Sequence, residues 1–377
     1  MTVKHKRSTS QSLQLGLFIF SSIAVGLFAV FYGRIFAMGE GRALALLDQH
    51  RNLLLLVTPL FFLISSSICR FFAPEASGGG IAKVREALAE LSIENSEENS
   101  GKIRNALGSK TVVMKFFSSI FMIAGGGALG REGPVVQMTA GIFSTIGRRS
   151  RRILPDIDLR SWIIAGSAAG LAAAFNTPLG GLVFALEELT ELHVSRIRAP
   201  LFLAVVTAGL TALAVSGPYL LFATSHVVWK SSPWGILSVL VIGVFSGTIV
   251  VFFQKLSAHF HTALERTRNR SFWIVPSMCG LIVAIIARNL GSEVIGGGIA
   301  SAQALVNRPY SETNSLVFPG HLLTTLLTLA SGAAGGLLAP GLSLGAQMGA
   351  ILAKVLGGLL TLLFSYLRPW PLSWQHS

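Results

Sequence analysis

The sequence predicts an all-α integral membrane protein whose helices are tilted and unequal in length. Hydrophobic residues make up 51% of the 377-residue chain and charged residues only 12%, which leaves too little polar surface for a soluble domain. Uncharged runs such as 13–32, 53–69 and 234–253 approach the roughly 20 residues that a helix needs to cross a bilayer. Other apolar runs are shortened by glycine and proline, which indicates helices that cross only part of the membrane.

Basic residues predict the orientation of the chain. The formal net charge is +13, but the basic residues stand in short connections between apolar runs, so lipid and topology explain them better than nucleic-acid binding does. The positive-inside bias assigns the N-terminal arm 1–12 and the clusters 148–152 and 266–270 to the cytoplasm. The first apolar run is long and lacks a convincing small-residue cleavage site, so we interpret it as a retained helix and not as a signal peptide.

Glycine-rich segments recur in the same order along the chain. The pentapeptide GGGIA occurs at 78–82 and again at 296–300, and AGGGALGREGP at 124–134 is echoed by SGAAGGLLAP at 331–340. Repetition of this kind predicts two structurally related halves, arranged as inverted repeats at about 13–233 and 234–377. The first half has a third glycine-rich segment at 165–188, AGSAAGLAAAFNTPLGGLVFALEE. It has no counterpart beyond residue 360, so we expect the second repeat to be incomplete.

Glu132 is the strongest candidate for a functional side chain. An ionisable residue at membrane depth costs roughly 2.5–3.5 kcal/mol on insertion scales, so it is expected to have a use. Pro134 suits the first turn of a helix, and the glycines before it allow the main chain to approach a ligand closely. The resulting helix N-terminus favours an anion. A salt bridge between Glu132 and Arg131 that only satisfies both charges is the alternative.

The segment from Leu337 to Pro340 has the same design without a charge. Its N–H groups could point at the same ion as those after Gly130. A weakly basic halide suits such a site, because several partial positive charges bind it without trapping it as a full cation would. We accordingly expect no buried lysine beside the site.

Other chemistry has little support in the sequence. The glycines at 125, 127 and 130 match a dinucleotide fingerprint, but they follow a membrane run instead of a strand, and basic residues stand where an acidic one should follow. Cys69 and Cys279 lie in unrelated apolar contexts and are interpreted as buried thiols. We expect no enzyme activity, no metal and no cofactor. Glu187 and Glu188 end an apolar run, where they serve either as solvated helix-end residues or as a proton entry point.

Taken together, these motifs resemble the CLC family of chloride channels and chloride/proton antiporters. GGGIA at 78–82 resembles its GSGIP element, GREGP at 130–134 matches its GREGP element, and GGLLAP at 335–340 resembles GGxFxP. NTPLGGLVFALEE at 176–188 is also similar to the family pattern.

The resemblance implies chloride/proton antiport. Glu132 is similar to the gating glutamate, which occupies an anion site when ionised and leaves it when protonated. Glu188 matches the internal proton glutamate that pure channels lack, which argues against a passive channel. The implied anion-binding residues are Gly79, Gly80, Ile81, Arg131, Glu132, Leu337 and Leu338. Chloride, protons, lipid and a second copy of the chain are the implied partners, in a bacterial-type plasma (inner) membrane with the N-terminus in the cytoplasm.

Departures from the family pattern leave alternatives open. Gly79 stands where the family usually has a serine that contacts the central anion, so anion preference is not fixed, and Ala82 and Leu338 replace the usual Pro and Phe. The last helices of the family have no counterpart after Val355, including the tyrosine that closes the inner anion site and part of the dimer interface. A non-transporting truncated homologue or subunit is therefore the alternative.

Overall fold

The computed structural model of the protein describes residues 2–91, 96–151, 158–189, 198–217, 233–307 and 314–366. Within these ranges the chain forms fourteen α-helices. The first seven are α1 (Thr2–Gln49), α2 (Arg51–Ser67), α3 (Ile81–Glu90), α4 (Ser96–Leu107), α5 (Ser109–Ala124), α6 (Glu132–Ser150) and α7 (Leu159–Phe175). The others are α8 (Pro178–Phe184), α9 (Arg198–Ser216), α10 (Pro233–Arg270), α11 (Ile274–Leu290), α12 (Ile299–Asn307), α13 (Val317–Ala330) and α14 (Leu338–Tyr366).

The helices differ widely in length, as the spacing of glycine and proline predicts. Five described segments are long and apolar enough to cross a membrane: Leu15–Gln49, Arg51–Phe72, Gly101–Ala124, Val239–Phe260 and Leu338–Val355. Four more apolar helices have only 10–17 residues, too short to cross the whole bilayer without tilt or thinning. The prediction of an all-α integral membrane protein with unequal helices is confirmed.

The polar segments of the described chain are also helical. Residues 96–107 form helix α4, in which Ile103, Ala106 and Leu107 recur at helical spacing and are buried. Helix α1 begins at Thr2, so the basic N-terminal arm, from Thr2 onwards, is the first part of a helix. Residues 218–232 and 367–377, which belong to the predicted halves, lie outside the described residues.

The first half of the chain packs around helices α1, α6, α7 and α9. Phe18 stacks on Trp162 with ring centroids 4.1 Å apart, and both side chains are buried. Small residues bring α7 close to α6: a Cβ on Gly166 would lie 2.5 Å from Phe143 Cβ. Such small-residue contacts are how membrane helices pack, since lipid gives them no hydrophobic drive to associate.

A second core joins helices α2, α11 and α13. Its buried residues include Leu54, Phe62, Val283 and Val294. Gly280 of α11 lies against the main chain of Pro59, the proline inside α2, where a Cβ would approach to 2.7 Å. The two cores flank the glycine loops that precede helices α3, α6, α12 and α14, so packing fixes the position of these loops.

Candidate functional site

Three helices begin at one place, and hydrogen bonds between their leading loops hold them there. Gly130 and Gly336 exchange both of their main-chain hydrogen bonds, with N···O distances of 2.7 and 2.8 Å. Gly78 donates to Ala333 O at 2.9 Å, and Gly335 donates back to Gly78 O at 3.2 Å. The glycine-rich segments 124–134 and 331–340, which the sequence pairs by similarity, therefore meet in space. The segment 78–82 joins them, so the starts of α3, α6 and α14 lie together.

The first N–H groups of these helices have no helical partner. Helix α6 starts at Glu132 and α14 at Leu338, with Pro134 and Pro340 inside their first turns. Helix α3 starts at Ile81 after Gly80, which has φ +108°. Partial positive charge at the three N-termini makes this region suitable for an anion.

Glycine is required where these loops touch. A Cβ on Gly80 would lie 2.6 Å from Gly133 O, and a Cβ on Gly133 would overlap the carbonyl oxygen of Gly79. Gly79 differs from both, because the nearest atom to its Cβ would be Gly335 O at 3.9 Å. Close main-chain packing thus explains why Gly80 and Gly133 have no side chain, whereas position 79 has room for a small one.

Glu132 is buried at the first position of α6, with 1% of its surface exposed. Its Oε1 lies 3.9 Å from Arg131 Nε, and its own backbone N–H is close enough to attract the carboxylate. Oε2 has no hydrogen-bond partner and lies beside Gly130. The ion pair with Arg131 is long, so it compensates the negative charge of the Glu132 carboxylate only in part.

Lys115 contradicts the expectation that no lysine is buried near the site. Its side chain lies on α5 and is fully buried, and Nζ donates to the carbonyl oxygens of Ala76 and Gly78, each at 2.9 Å. Both carbonyls belong to the loop that leads to Gly80 and Ile81. The lysine is tied to main-chain oxygens, so it positions this loop and does not itself occupy the space at the helix N-termini.

Other polar side chains of α5 hold the neighbouring loop. Ser118 Oγ accepts a hydrogen bond from Ala334 N at 3.1 Å and also bonds Ser65, whose Oγ donates to Ser118 O at 2.7 Å. Tyr32 of α1 donates to Ser119 Oγ at 2.8 Å. One face of α5 therefore fixes the first-half loop through Lys115 and the second-half loop through Ser118.

Gln137 connects α6 to the same region. Its Nε2 donates to Glu75 O at 3.0 Å and to Ala106 O at 2.9 Å, and the side chain is 1% exposed. The sequence analysis did not single out Lys115, Ser118 or Gln137. A lysine between Met114 and Phe116 in an apolar run was the signal available for the first of them.

The fourth glycine loop, at 296–298, takes a carboxylate from helix α1. Glu40 Oε1 accepts a hydrogen bond from Gly297 N at 2.7 Å. On the other side of this loop lies His321, which is fully buried and bonded through Nδ1 to Gln347 Nε2 at 3.0 Å. Neither Glu40 nor His321 was predicted, although Glu40 interrupts an apolar helix.

Glu188 lies apart from these loops, on a π-helical turn at Ala185–Leu189. Its Oε2 is 3.4 Å from Arg85 Nη1, and the two side chains are 42% and 63% exposed. Arg85 belongs to α3, one turn after Ile81, so Glu188 is linked to the helix that starts at the site. The structure thus brings Gly79, Gly80, Arg131 and Glu132 together with residues 337–338 and leaves Glu188 on a more exposed surface.

Metal and thiol chemistry gain no support from the part of the chain that the structure describes. No cluster of three or more His, Cys, Asp or Glu residues there could hold a metal ion. Cys69 and Cys279 are buried in different hydrophobic clusters. The interpretation of both cysteines as buried thiols agrees with their surroundings.

The fold and the site define an all-α integral membrane protein in which helix N-termini from both halves converge beside a buried glutamate. The sequence profile of the family described as "Voltage gated chloride channel" matches residues 61–365. The chain therefore belongs to the voltage-gated chloride channel (CLC) family.

Several known proteins are similar to the chain over most of its length. The H(+)/Cl(-) exchange transporter ClcA of Yersinia pestis bv. Antiqua (strain Angola) is 29% identical over 347 residues, covering 85% of this chain and 67% of the relative. The ClcA protein of Vibrio campbellii (strain ATCC BAA-1116) is 30% identical over 282 residues, which cover 72% of this chain and 56% of the relative.

Solved structures agree on the fold. A slow cyanobacterial Cl-/H+ antiporter superposes with a TM-score of 0.75 at 21% identity, covering 95% of this chain and 82% of that one. A eukaryotic CLC transporter gives a TM-score of 0.70 at 18% identity and covers 93% of this chain and 62% of that one.

Proposed function

We propose that this protein exchanges chloride for protons across a bacterial-type inner membrane, with its N-terminus in the cytoplasm. The observation that carries the proposal is Glu132, a buried carboxylate at the start of α6, where the loops of α3 and α14 meet it. The names of the ClcA relatives, H(+)/Cl(-) exchange transporters, support the choice of chloride and protons as the transported ions.

The carboxylate and the anion compete for the same positive potential. When Glu132 is ionised, its side chain stays on the N-terminus of α6 and blocks an anion there. When it is protonated, the N–H groups of residues 79–81, 132 and 337–338 become available to chloride, and Arg131 contributes a nearby positive charge. A halide held by main-chain dipoles of this kind is bound without being trapped.

Glu188 supplies the proton from the opposite side. Its carboxylate is partly exposed and pairs with Arg85, so it can exchange protons with water. A passive channel has no need of such a group, and Glu188 therefore favours exchange over a channel. We further propose that two copies of the chain form a homodimer with one transport path in each copy, and that no bound cofactor takes part.

The test is chloride efflux from liposomes that contain the purified chain, with internal pH followed at the same time. Wild-type protein should move protons against chloride, and Glu132→Ala should abolish the flux or uncouple it from protons. Asp48→Asn is a matched control, because Asp48 is an exposed acidic residue of α1. Chloride flux without proton movement in the wild type would instead indicate a channel. Flux insensitive to both Glu132 and Glu188, or none from inserted protein, would overturn the proposal.

A further inference from the structure

Proton access to Glu132 is the problem that the site leaves open. The side chain is only 1% exposed, so protons need a carrier between water and the buried carboxylate. Among the described residues, Glu40 is a second carboxylate next to the converging loops. It lies nine residues before the C-terminal end of the 48-residue helix α1 and is partly exposed, so its carboxyl group can exchange protons with solvent.

Helix α1 presents two features of the site on one face. Gly33 lies against the guanidinium of Arg131, where a Cβ would collide with Nη1. Glu40 follows Gly33 by seven residues, about two helical turns, and so lies on the same side of the helix. One face of α1 therefore contacts both Arg131, the residue before Glu132, and the glycine loop at 296–298.

The loop that Glu40 binds is adjacent to the loop that carries Glu132. A Cβ on Gly297 would lie 3.9 Å from Ala339 Cβ, and a Cβ on Gly130 would lie 2.8 Å from the same atom. The Glu132 Oε2 atom also lies beside Gly130. The alanine side chain thus separates the Glu40 loop from the Glu132 loop.

Charge connects the two carboxyl groups as well. Arg131 lies close enough to attract both Glu40 and Glu132, and the two carboxylates act on each other electrostatically. No hydrogen bond joins Glu40 to Glu132, so a proton that passes between them needs intervening water. The bond from Gly297 N–H holds the Glu40 carboxyl in place for this step.

We propose that Glu40 is the proton carrier that serves Glu132 from the side of the membrane where α1 ends. The protonated Glu40 gives its proton through water to the Glu132 carboxylate and becomes a carboxylate itself. It then takes a new proton from solvent while it keeps its hydrogen bond to Gly297. This proposal rests on the exchange activity proposed above and adds a residue to its proton route.

The experiment compares Glu40→Gln, Glu40→Asp and Asp48→Asn with wild type in the liposome assay. The amide oxygen of glutamine can still accept the Gly297 N–H, so Glu40→Gln removes proton transfer and keeps the positioning. We expect its proton flux to fall by roughly tenfold or more, because positioned proton-transfer groups typically contribute about 10²-fold or more. Its chloride flux should fall with it, because Glu132 blocks the anion until it is protonated. Glu40→Asp should retain most of the exchange rate, and Asp48→Asn should behave as wild type.

Two results would overturn the role of Glu40. Wild-type rates of proton and chloride flux in Glu40→Gln would mean that protons reach Glu132 without this side chain. Slower exchange together with weaker chloride binding would mean that Glu40 only positions the glycine loop at 296–298. Chloride binding to purified Glu40→Gln, measured by calorimetry, should stay as in wild type. If the wild type shows no coupled exchange, the proposed function fails together with this one; if it does, the variants test Glu40 alone.

Discussion

The open space at Gly79 allows a direct test of whether its loop faces an anion. A serine Cβ at this position would meet only Gly335 O, at 3.9 Å, which is ordinary van der Waals contact. The backbone of Gly79 is not in the positive-φ region, so a side chain adds no main-chain strain. Gly79→Ser should therefore fold normally and bring a hydroxyl donor to the start of α3.

The expected gain follows from the energy of one hydrogen bond to an ion. A hydrogen bond to a charged group contributes about 1.5–3 kcal/mol, and each 1.4 kcal/mol corresponds to about tenfold in affinity. Chloride affinity in Gly79→Ser should rise roughly tenfold to a hundredfold. Isothermal titration calorimetry of the detergent-purified protein with chloride, using a non-halide counter-ion, measures it.

Gly80→Ser is the matched control, since it adds the same hydroxyl one residue further on. Gly80 has φ +108°, and a Cβ there would lie 2.6 Å from Gly133 O. Backbone strain of this kind costs about 1–3 kcal/mol, so this variant should lose stability and gain no affinity. A folded Gly79→Ser protein with unchanged or weaker chloride binding would refute the assignment of residues 79–81 to the anion route.

Three further predictions follow from the same contacts. Lys115→Met leaves the carbonyl of Ala76 without its lysine donor, at about 1–3 kcal/mol, and leaves Gly78 O with only the bond from Gly335 N, so its thermal midpoint should fall clearly; a midpoint equal to wild type would contradict the positioning role. Gly133→Ala forces a methyl group against Gly79 O and should abolish chloride binding in calorimetry, whereas Gly345→Ala, where a Cβ meets no atom within 4 Å, should not; equal binding by both would disprove the close approach of these loops. Arg85→Ala breaks a largely exposed pair with Glu188, worth about 0–1 kcal/mol, so the thermal midpoint should barely change; a large drop would show that the pair is structural.

Local rules account for the parts of the site that the sequence predicts. Glycine followed by proline places the start of α6 at Glu132 and the start of α14 near Pro340, because proline fits only the first turn and glycine permits the break before it. The repetition of the glycine-rich segments also indicates which parts of the two halves are related. These features depend on a few neighbouring residues, and a single sequence contains that information.

The partners of buried polar groups do not follow from local rules. Lys115 finds its acceptors about 37–39 residues away, and Glu40 finds Gly297 at a separation of 257 residues. Which of many main-chain groups a buried charge will meet depends on the packing of several helices at once. The sequence indicates only that such a charge needs partners, and the structure identifies them.

The bridge between the Gly130 and Gly336 loops has a consequence for how the protein is made. Ala128 N bonds Thr328 Oγ across 200 residues, and Ala334 N bonds Ser118 Oγ across 216. Contacts this distant in the chain form only after the intervening segment has been synthesised, and the ordering of a long loop must precede them. Ala128 N and Gly130 N therefore find their native acceptors only after residues 328–336 have been synthesised. Assembly of the proposed anion site is thus a late event in biogenesis, because it depends on contacts from the second half of the chain.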